Sequence, residues 1–459
     1  MNGCHHCSGL SRSRLLHRAA AEAGRGLPFV EPGMPLPAGT GLSRRSFLAQ
    51  GVGTLLAVYG STKLGFAALD DGIAAAASGS AQQILVSVFL EGGADALSVL
   101  SPQGDPLYRK LRAKLGLSGG TPFAEDNRLY WHPAAAGIAQ LYGEKKVGVM
   151  PAIGYTNADQ SHFTSRHYWE VGATDATLRA GWLGRYLDHV GTADNPLQGL
   201  SLDDTLAPAL ATAKVPVASI DGPDQYDFWS NRVWGEVEKR MLAAIGSLGM
   251  SHGDPALAAA ASVTAQVDRL RNQLVPFQSA GDKPGFTSPV AYPKSDNGFP
   301  RRLAGLAAMI GAGLPLRVVA LTAPGEYDTH SDQANALSEG LQLTSDSLLA
   351  FQRDLEARGL ADRVLVHVWS EFGRRAQENG NAGTDHGAAG VGFLIGTRVK
   401  GVMVGEFPGL ATGLDQRGNV KATSDFRGVY SSLLEQWLGV DAGAVIPNAA
   451  SFPRTQLVR

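Results

Sequence analysis

The chain has 459 residues, of which 44% are apolar and 18% are charged, so it can bury a large core and is not disordered as a whole. Its 40 Lys and Arg residues against 42 Asp and Glu residues give a net charge of −2, which argues against a nucleic-acid-binding protein. The 2 cysteines, Cys4 and Cys7, both lie near the N-terminus, and this excludes a disulfide scaffold.

Residues 1–80 have the composition of a disordered leader that contains a targeting signal. Ser43-Arg44-Arg45-Ser46-Phe47-Leu48 precedes a Gly- and Ala-rich apolar run and then small residues, which is the order of a twin-arginine export signal. The alternative is a surface arginine pair before a buried helix. The upstream cluster Cys4-His5-His6-Cys7 offers four possible metal ligands, but adjacent positions cannot all face one ion. The apolar run is shorter than the roughly 20 residues of a membrane span.

We therefore expect the twin-arginine export machinery to carry the protein to a periplasmic, cell-surface or secreted location. Residues 81–459 then form a single folded domain, without a membrane span and without cysteine.

Continuous apolar runs of strand length recur along this domain. Such runs are typical of strands that are buried on both faces of a parallel sheet. They predict strands at Ile84–Leu90, Val147–Ile153, Leu197–Leu202, Val215–Ile220, Leu316–Leu321, Val364–Trp369, Val391–Ile395 and Val402–Val404.

Helices are predicted between these runs, where apolar residues recur at helical spacing. They cover Arg301–Gly313, Leu341–Leu355 with Gly359 at the C-terminal cap, and Phe426–Leu438. The alternation predicts an α/β fold, with a doubly wound, mostly parallel sheet and helices on both faces. In such folds ligands bind beyond the C-terminal ends of the strands, so the loops at the strand ends are where we expect the chemistry.

Carboxylates and histidines gather in these loops. Together they make a donor set without sulfur, which suits a divalent ion such as zinc, manganese, magnesium or calcium. The predicted metal ligands are Asp95, Asp328, His330, Glu371, Asp385 and His386. Asp328 and His330 are two positions apart, so in an extended segment they face the same side.

Three of these residues also have a purely structural interpretation. Asp95 can cap a helix that starts at Ala96, and Asp328 can be a turn residue or a helix cap. Glu371 can pair with Arg374 or Arg375. His367 lies inside a predicted strand, and we interpret it as a core histidine.

Ser161 is the candidate nucleophile, because it follows a strand and begins a helix that runs through Phe163 to Val171. A hydroxyl there feels the helix dipole, and a nearby metal would lower its pKa. The alternative is an ordinary helix cap. Arg166, about one and a half turns later, is a candidate contact for an anionic substrate, while His162 and His167 are secondary site candidates.

The loop sequences resemble a known family as a set. Glu91-Gly92-Gly93-Ala94-Asp95, Ser161-His162-Phe163, Asp328-Thr329-His330, Ser370-Glu371-Phe372-Gly373-Arg374 and Gly383-Thr384-Asp385-His386-Gly387 resemble signatures of the exported domain of unknown function 1501, over roughly residues 40–440. That family is similar to the alkaline-phosphatase and sulfatase superfamily. The resemblance implies an alkaline-phosphatase-like α/β domain with metal at the strand ends and a Ser, Thr or modified Cys nucleophile.

Carried over by position, the resemblance gives Asp95, Asp328, His330 and His386 as ligands and Ser161 as nucleophile. Phe372 follows Glu371 where the superfamily commonly has a further ligand, which puts a two-zinc phosphatase in doubt. No Cys-x-Pro-x-Arg motif is present, and this excludes a formylglycine sulfatase. The resulting hypothesis is an exported metal-dependent hydrolase acting on an anionic small-molecule or polymer ester of phosphate or sulfate. The alternative is a non-catalytic secreted binding protein on the same fold.

Overall fold

The computed structural model describes residues 82–226, 255–280 and 283–459, together with residues 237, 240, 241, 243 and 244. The predicted leader, its Cys4-His5-His6-Cys7 cluster and the twin-arginine signal lie outside the described residues. Within the described residues, no helix is both long and apolar enough to cross a membrane.

A main sheet and a small sheet are formed by short, mostly buried strands. The small sheet, in the order β2-β4-β3, is built from Leu100–Ser101 (β2), Thr121–Pro122 (β3) and Tyr130–Trp131 (β4). The main sheet has the order β11-β5-β10-β9-β1-β8-β6-β7. Its strands are Ile84–Phe89 (β1), Val147–Gly154 (β5), Gly199–Ser201 (β6), Ala218–Ser219 (β7), Val318–Thr322 (β8), Val364–Trp369 (β9), Gly390–Ile395 (β10) and Ser424–Asp425 (β11).

Strand direction decides which loops meet. β1 pairs in parallel with β8 and β9, β6 with β8 and β7, and β11 with β5. β10 is antiparallel to both β5 and β9. The carboxyl ends of β1, β5, β8 and β9 therefore share one edge of the sheet with the amino end of β10.

Helices cover both faces of the main sheet, as predicted. One hydrophobic cluster joins Val86 and Val88 of β1 to the helices at residues 136–143, 299–311 and 333–357, while a second joins Leu85 and Phe89 to the helices at residues 162–171, 182–190 and 426–436. This alternation is the side-chain pattern of a strand that is buried on both faces. The helices are Ala96–Val99 (α1), Tyr108–Leu111 (α2), Ala136–Gly143 (α3), His162–Val171 (α4), Trp182–Val190 (α5), Pro255–Leu274 (α6), Phe299–Gly311 (α7), Gln333–Ala357 (α8) and Phe426–Gln436 (α9).

The predicted fold class is confirmed, and the differences are at the weaker strands. The run Leu197–Leu202 begins as a 3-10 helix at Pro196–Gln198, because Asn195 accepts a hydrogen bond from the amide of Leu197, and only Gly199–Ser201 is strand. The run Val215–Ile220 is strand only at Ala218–Ser219. The run Val402–Val404 makes a single bridge to Val149 through two backbone hydrogen bonds of 3.1 and 2.7 Å, and forms no longer ladder.

Candidate metal centre

Three loops at this edge of the sheet bring histidines and an aspartate together. His162 is the first residue of α4, which follows β5, while Asp328 and His330 lie in the loop between β8 and α8. His386 precedes β10, and it reaches the same edge because β10 runs antiparallel to its neighbours. His162, Asp328 and His386 each offer one ligand atom, and these atoms all lie within 4.8 Å of one another, so the three side chains could hold a metal ion.

The Oδ1 atom of Asp328 is the centre of this group. It lies 3.4 Å from Nε2 of His162, 3.1 Å from Nε2 of His330 and 3.4 Å from Nε2 of His386. The Nε2 atoms of His330 and His386 are 3.0 Å apart. Ligands held about 2.0–2.1 Å from a tetrahedral zinc ion lie about 3.4 Å from each other, so the spacing suits direct coordination.

Acceptors next to the other ring nitrogen orient the histidines. Nδ1 of His162 donates to the Glu371 carboxylate at 2.8 Å, and Nδ1 of His386 donates to the carbonyl of Gln160 at 2.7 Å. When the rings are neutral, the proton is on Nδ1 and the Nε2 lone pair faces Asp328. A histidine whose outer nitrogen donates to a carboxylate or a carbonyl is the usual arrangement around a bound metal.

The geometry of this group favours a positive charge next to Oδ1 of Asp328. Two Nε2 lone pairs facing a carboxylate oxygen repel it, and Nε2 of His162 is a buried atom without a hydrogen-bond partner. Burial alone would lower the pKa of His162, but Asp328 and Glu371 outweigh it and raise the pKa to about 9. Burial would likewise raise the pKa of Asp328, but His162, His386 and Arg374 hold it well below its usual value. Either a proton or a metal ion would remove the repulsion between the Nε2 lone pairs and Asp328, and the donor set fits a divalent metal.

Arg374 fixes the position of Asp328. Its guanidinium is fully buried, and Nη2 donates to Oδ1 of Asp328 at 2.6 Å. The same side chain donates to the carbonyls of Gly93 at 2.8 Å and Thr384 at 3.0 Å, and also to those of Gly92 and Tyr327. One arginine thus ties together the loops after β1 and β8 and the loop before β10.

Glu371 belongs to the site as a support of His162. Its carboxylate is 1% exposed and accepts the amide protons of Gly92, at 3.1 and 3.2 Å, and of Gly93, at 3.0 Å, besides the proton of His162. Burial alone would raise the pKa of Glu371, but the hydrogen bond and the charge of His162 outweigh it and hold the pKa below its usual value. Asp385, which is exposed, lies 3.4 Å from Nδ1 of His330 and orients that ring in the same way.

Asp95 lies in a different environment, and we remove it from the predicted ligand set. It is fully buried, and its two oxygens accept from Arg112 at 2.6 and 3.0 Å, from Ser98 at 2.7 Å and from Gln333 at 2.6 Å. It also caps α1 through the amide of Leu97, which is the alternative role considered from the sequence. These donors occupy both of its oxygens.

Ser161 caps α4, accepting a long hydrogen bond of 3.5 Å from the amide of Thr164. Its role as a nucleophile stays a prediction. Arg166 lies one turn after His162, and it pairs with Glu170 at 2.7 Å and with Glu91. An anionic substrate that reached Arg166 would have to replace Glu91, so this contact also stays a prediction.

His162 is the candidate metal ligand that the sequence analysis placed only among the secondary site candidates. Its position, directly after the capping Ser161 and at the end of a strand loop, was the available signal. By contrast, the predicted core histidine, His367, is fully buried in β9, and neither of its ring nitrogens has a hydrogen-bond partner.

A family model described as protein of unknown function (DUF1501) matches residues 154–447, which is more than half of the chain. A search of curated proteins gave no match. Among solved structures, the PsFucS1 sulfatase from Pseudoalteromonas sp. is 11% identical with a TM-score of 0.36, over 84% of this chain and 75% of that one.

An alkaline phosphatase superfamily protein from Vibrio parahaemolyticus is 8% identical with a TM-score of 0.34, over 82% of this chain and 71% of that one. The C-terminal periplasmic domain of EcEptC from Escherichia coli is 9% identical with a TM-score of 0.34, over 81% of this chain and 88% of that one. At these values no residue role or activity can be transferred from the three proteins.

Proposed function

We propose that this chain, which belongs to the DUF1501 family, is an exported, metal-dependent hydrolase of phosphate or sulfate esters. One observation carries the proposal: two histidines, His162 and His386, present Nε2 to Oδ1 of Asp328, each with its Nδ1 held by an acceptor. This is the donor arrangement of a metal site, at the sheet edge where α/β enzymes bind their substrates.

His162, Asp328 and His386 would hold the ion, with His330 as a further contact. A donor set made mainly of imidazole favours zinc over magnesium or calcium, although carboxylate donors bind all of these ions. When bound, a divalent ion supplies Lewis-acid stabilisation of the negative charge that develops on a phosphoryl or sulfuryl oxygen. Glu371, Asp385 and the carbonyl of Gln160 would keep the three rings in the binding tautomer.

Ser161 is the residue that we propose as the nucleophile. It stands next to His162, at the start of a ten-residue helix, where the positive end of the helix dipole favours an anion. Its Oγ would form a bond to phosphorus or sulfur and release its proton, while the leaving alcohol departs with the electrons of the broken ester bond and takes up a proton. Water would then cleave the new ester and restore the serine hydroxyl.

The first experiment tests the metal centre. The full chain, purified with and without chelator treatment, is assayed for bound metal and for its melting temperature with added zinc, manganese, magnesium or calcium. We expect His386→Ala to lower metal content and to remove the thermal stabilisation by the ion, which amounts to about 2.7 kcal/mol at a hundred times Kd. His189→Ala, which changes an exposed histidine of α5, is the matched control and should behave as wild type.

The second experiment separates hydrolysis from binding. Wild type and Ser161→Ala are assayed on a panel of chromogenic phosphate and sulfate esters, and Ser161→Ala should keep the metal and lose hydrolysis. A wild type that binds metal but cleaves no ester of the panel supports the non-catalytic binding protein instead. A wild type without metal, and without thermal response to any of the four ions, contradicts the proposal.

A further inference from the structure

A single buried glutamine joins the two loops that carry most of the candidate ligands. Gln333 is the first residue of α8, and its side chain is 1% exposed. Its Oε1 accepts from Oγ1 of Thr329 at 2.9 Å and from Oγ1 of Thr384 at 2.5 Å. Its Nε2 donates to Oδ2 of Asp95 at 2.6 Å and to Oγ of Ser98 at 3.1 Å.

The two threonines stand beside the candidate ligands. Thr329 lies between Asp328 and His330, and Thr384 directly precedes Asp385 and His386. The two loops also meet through a backbone hydrogen bond of 2.9 Å from the Thr384 amide to the Thr329 carbonyl. Because Gln333 accepts hydrogen bonds from both Thr329 and Thr384, it helps to set the distance between the candidate ligands of the two loops.

The orientation of the Gln333 amide is fixed by its surroundings. An ionised carboxylate only accepts hydrogen bonds, so the NH₂ group must face Asp95 and the oxygen must face the two hydroxyls. Asp95 is itself held by the bidentate Arg112, at 2.6 and 3.0 Å. The network is thus anchored at one end by a buried ion pair, and it ends at two hydroxyl donors next to the ligands.

We propose that Gln333 is a positioning residue, which sets the spacing of the Asp328–His330 loop and the His386 loop and thereby the affinity of the centre for its metal. This rests on the proposed function, because it takes the centre to bind an ion. Groups that hydrogen-bond directly to metal ligands typically change metal affinity 10- to 100-fold when they are removed. Gln333 acts one contact further out, through Thr329 and Thr384, so we expect an effect at the lower end of that range.

The test is a zinc titration of the chelator-treated full chain by calorimetry. Gln333→Leu removes all four bonds at similar volume, and we expect Kd for zinc to rise about 10-fold. Thr384→Val removes one donor without changing the shape of the side chain, so it should weaken zinc binding by a smaller factor. Thr384→Ser restores the hydroxyl and should restore the wild-type affinity.

Tyr292→Phe is the matched control for stability. It removes a hydrogen bond of 3.1 Å to Asp354, in the last part of α8, far along the helix from Gln333. It should lower the melting temperature in chelator but leave Kd for zinc unchanged. A positioning role therefore appears as a change in affinity that does not follow from a change in stability.

The outcomes distinguish this proposal from the one on which it rests. If wild type binds zinc and both Gln333→Leu and Thr384→Val bind it equally tightly, the centre stands and the positioning role is refuted. If Gln333→Leu does not fold, Thr384→Val against Thr384→Ser decides alone. If wild type binds none of zinc, manganese, magnesium and calcium while its other properties are native, both proposals fail.

Discussion

The buried pair of Asp95 and Arg112 provides a test of whether Asp95 is structural or a metal ligand. Both side chains are 0% exposed, and they share two hydrogen bonds of 2.6 and 3.0 Å. Burial alone would raise the pKa of Asp95, but the charge and the hydrogen bonds of Arg112 outweigh it and lower the pKa. Arg112 makes its other bonds to the carbonyls of Ala376 and Arg375, at 2.7 and 2.9 Å, which carry no net charge.

Asp95→Asn therefore leaves Arg112 buried without a counter-charge, which typically costs about 3–5 kcal/mol. For the 378 residues from 82 to 459, an unfolding entropy of about 2.1 cal/mol/K per residue gives roughly 0.8 kcal/mol/K. The expected fall in melting temperature is then about 4–6 °C. The amide oxygen of the variant can still accept from Gln333, so the network beside the candidate metal centre is retained.

The assay is a thermal melt of the full chain in chelator and again in saturating zinc. A structural Asp95 predicts the same fall in both conditions, and the double variant Asp95→Asn with Arg112→Met should recover part of it, because no unpaired charge remains. A ligand role predicts little change in chelator and a lost response to zinc. That second pattern would show that Asp95 is a metal ligand and would contradict its purely structural role.

Two further predictions concern the core and the leader. Burial lowers the pKa of His367 to about 3. Below pH 6.5 the unfolded chain therefore binds a proton at this histidine while the folded chain does not, so the free energy of unfolding decreases as the pH falls. Between pH 7.5 and 5.0, urea unfolding of wild type should therefore lose about 2 kcal/mol more than that of His367→Met, and equal losses would contradict the assignment. Replacing Arg44 and Arg45 together by Lys should retain the protein in the cytoplasm, as fractionation would show; normal export of that variant would mean that the segment is not a twin-arginine signal.

The sequence predicted the parts of the site that depend on strand position alone. The apolar runs at Ile84–Leu90 and Val364–Trp369 are buried on both faces in the structure, so the loops after them had to lie at one edge of a parallel sheet. His386 precedes its strand, however, and it reaches that edge only because β10 is antiparallel to β9 and β5. Strand direction depends on pairing between distant segments, which the local pattern of residues does not show.

The sequence could not separate Asp95 from Asp328, since each is an acidic residue that follows a buried strand. What separates them are their partners: Arg112 and Gln333 enclose Asp95, whereas three imidazoles surround Oδ1 of Asp328. Gln333 is 238 positions away from Asp95, so no spacing rule along the chain connects the two. The gathering of carboxylates and histidines at the strand ends was predictable from the sequence, while the partners of each carboxylate depend on contacts between distant elements.

Gly92 shows how closely the end of β1 and the centre are packed, and it gives a last test. It has φ +118, and a Cβ atom there would lie 2.4 Å from the backbone nitrogen of Asp328, about 1 Å inside normal contact. Gly92→Ala must therefore displace Asp328, and we expect at least a tenfold loss of zinc affinity along with a loss of stability. Gly359→Ala is the matched control, because φ is +71 with nothing within 4 Å, so it should cost about 1 kcal/mol of backbone strain and leave zinc binding unchanged. Wild-type zinc affinity in Gly92→Ala would show that the position of Asp328 does not control the metal centre.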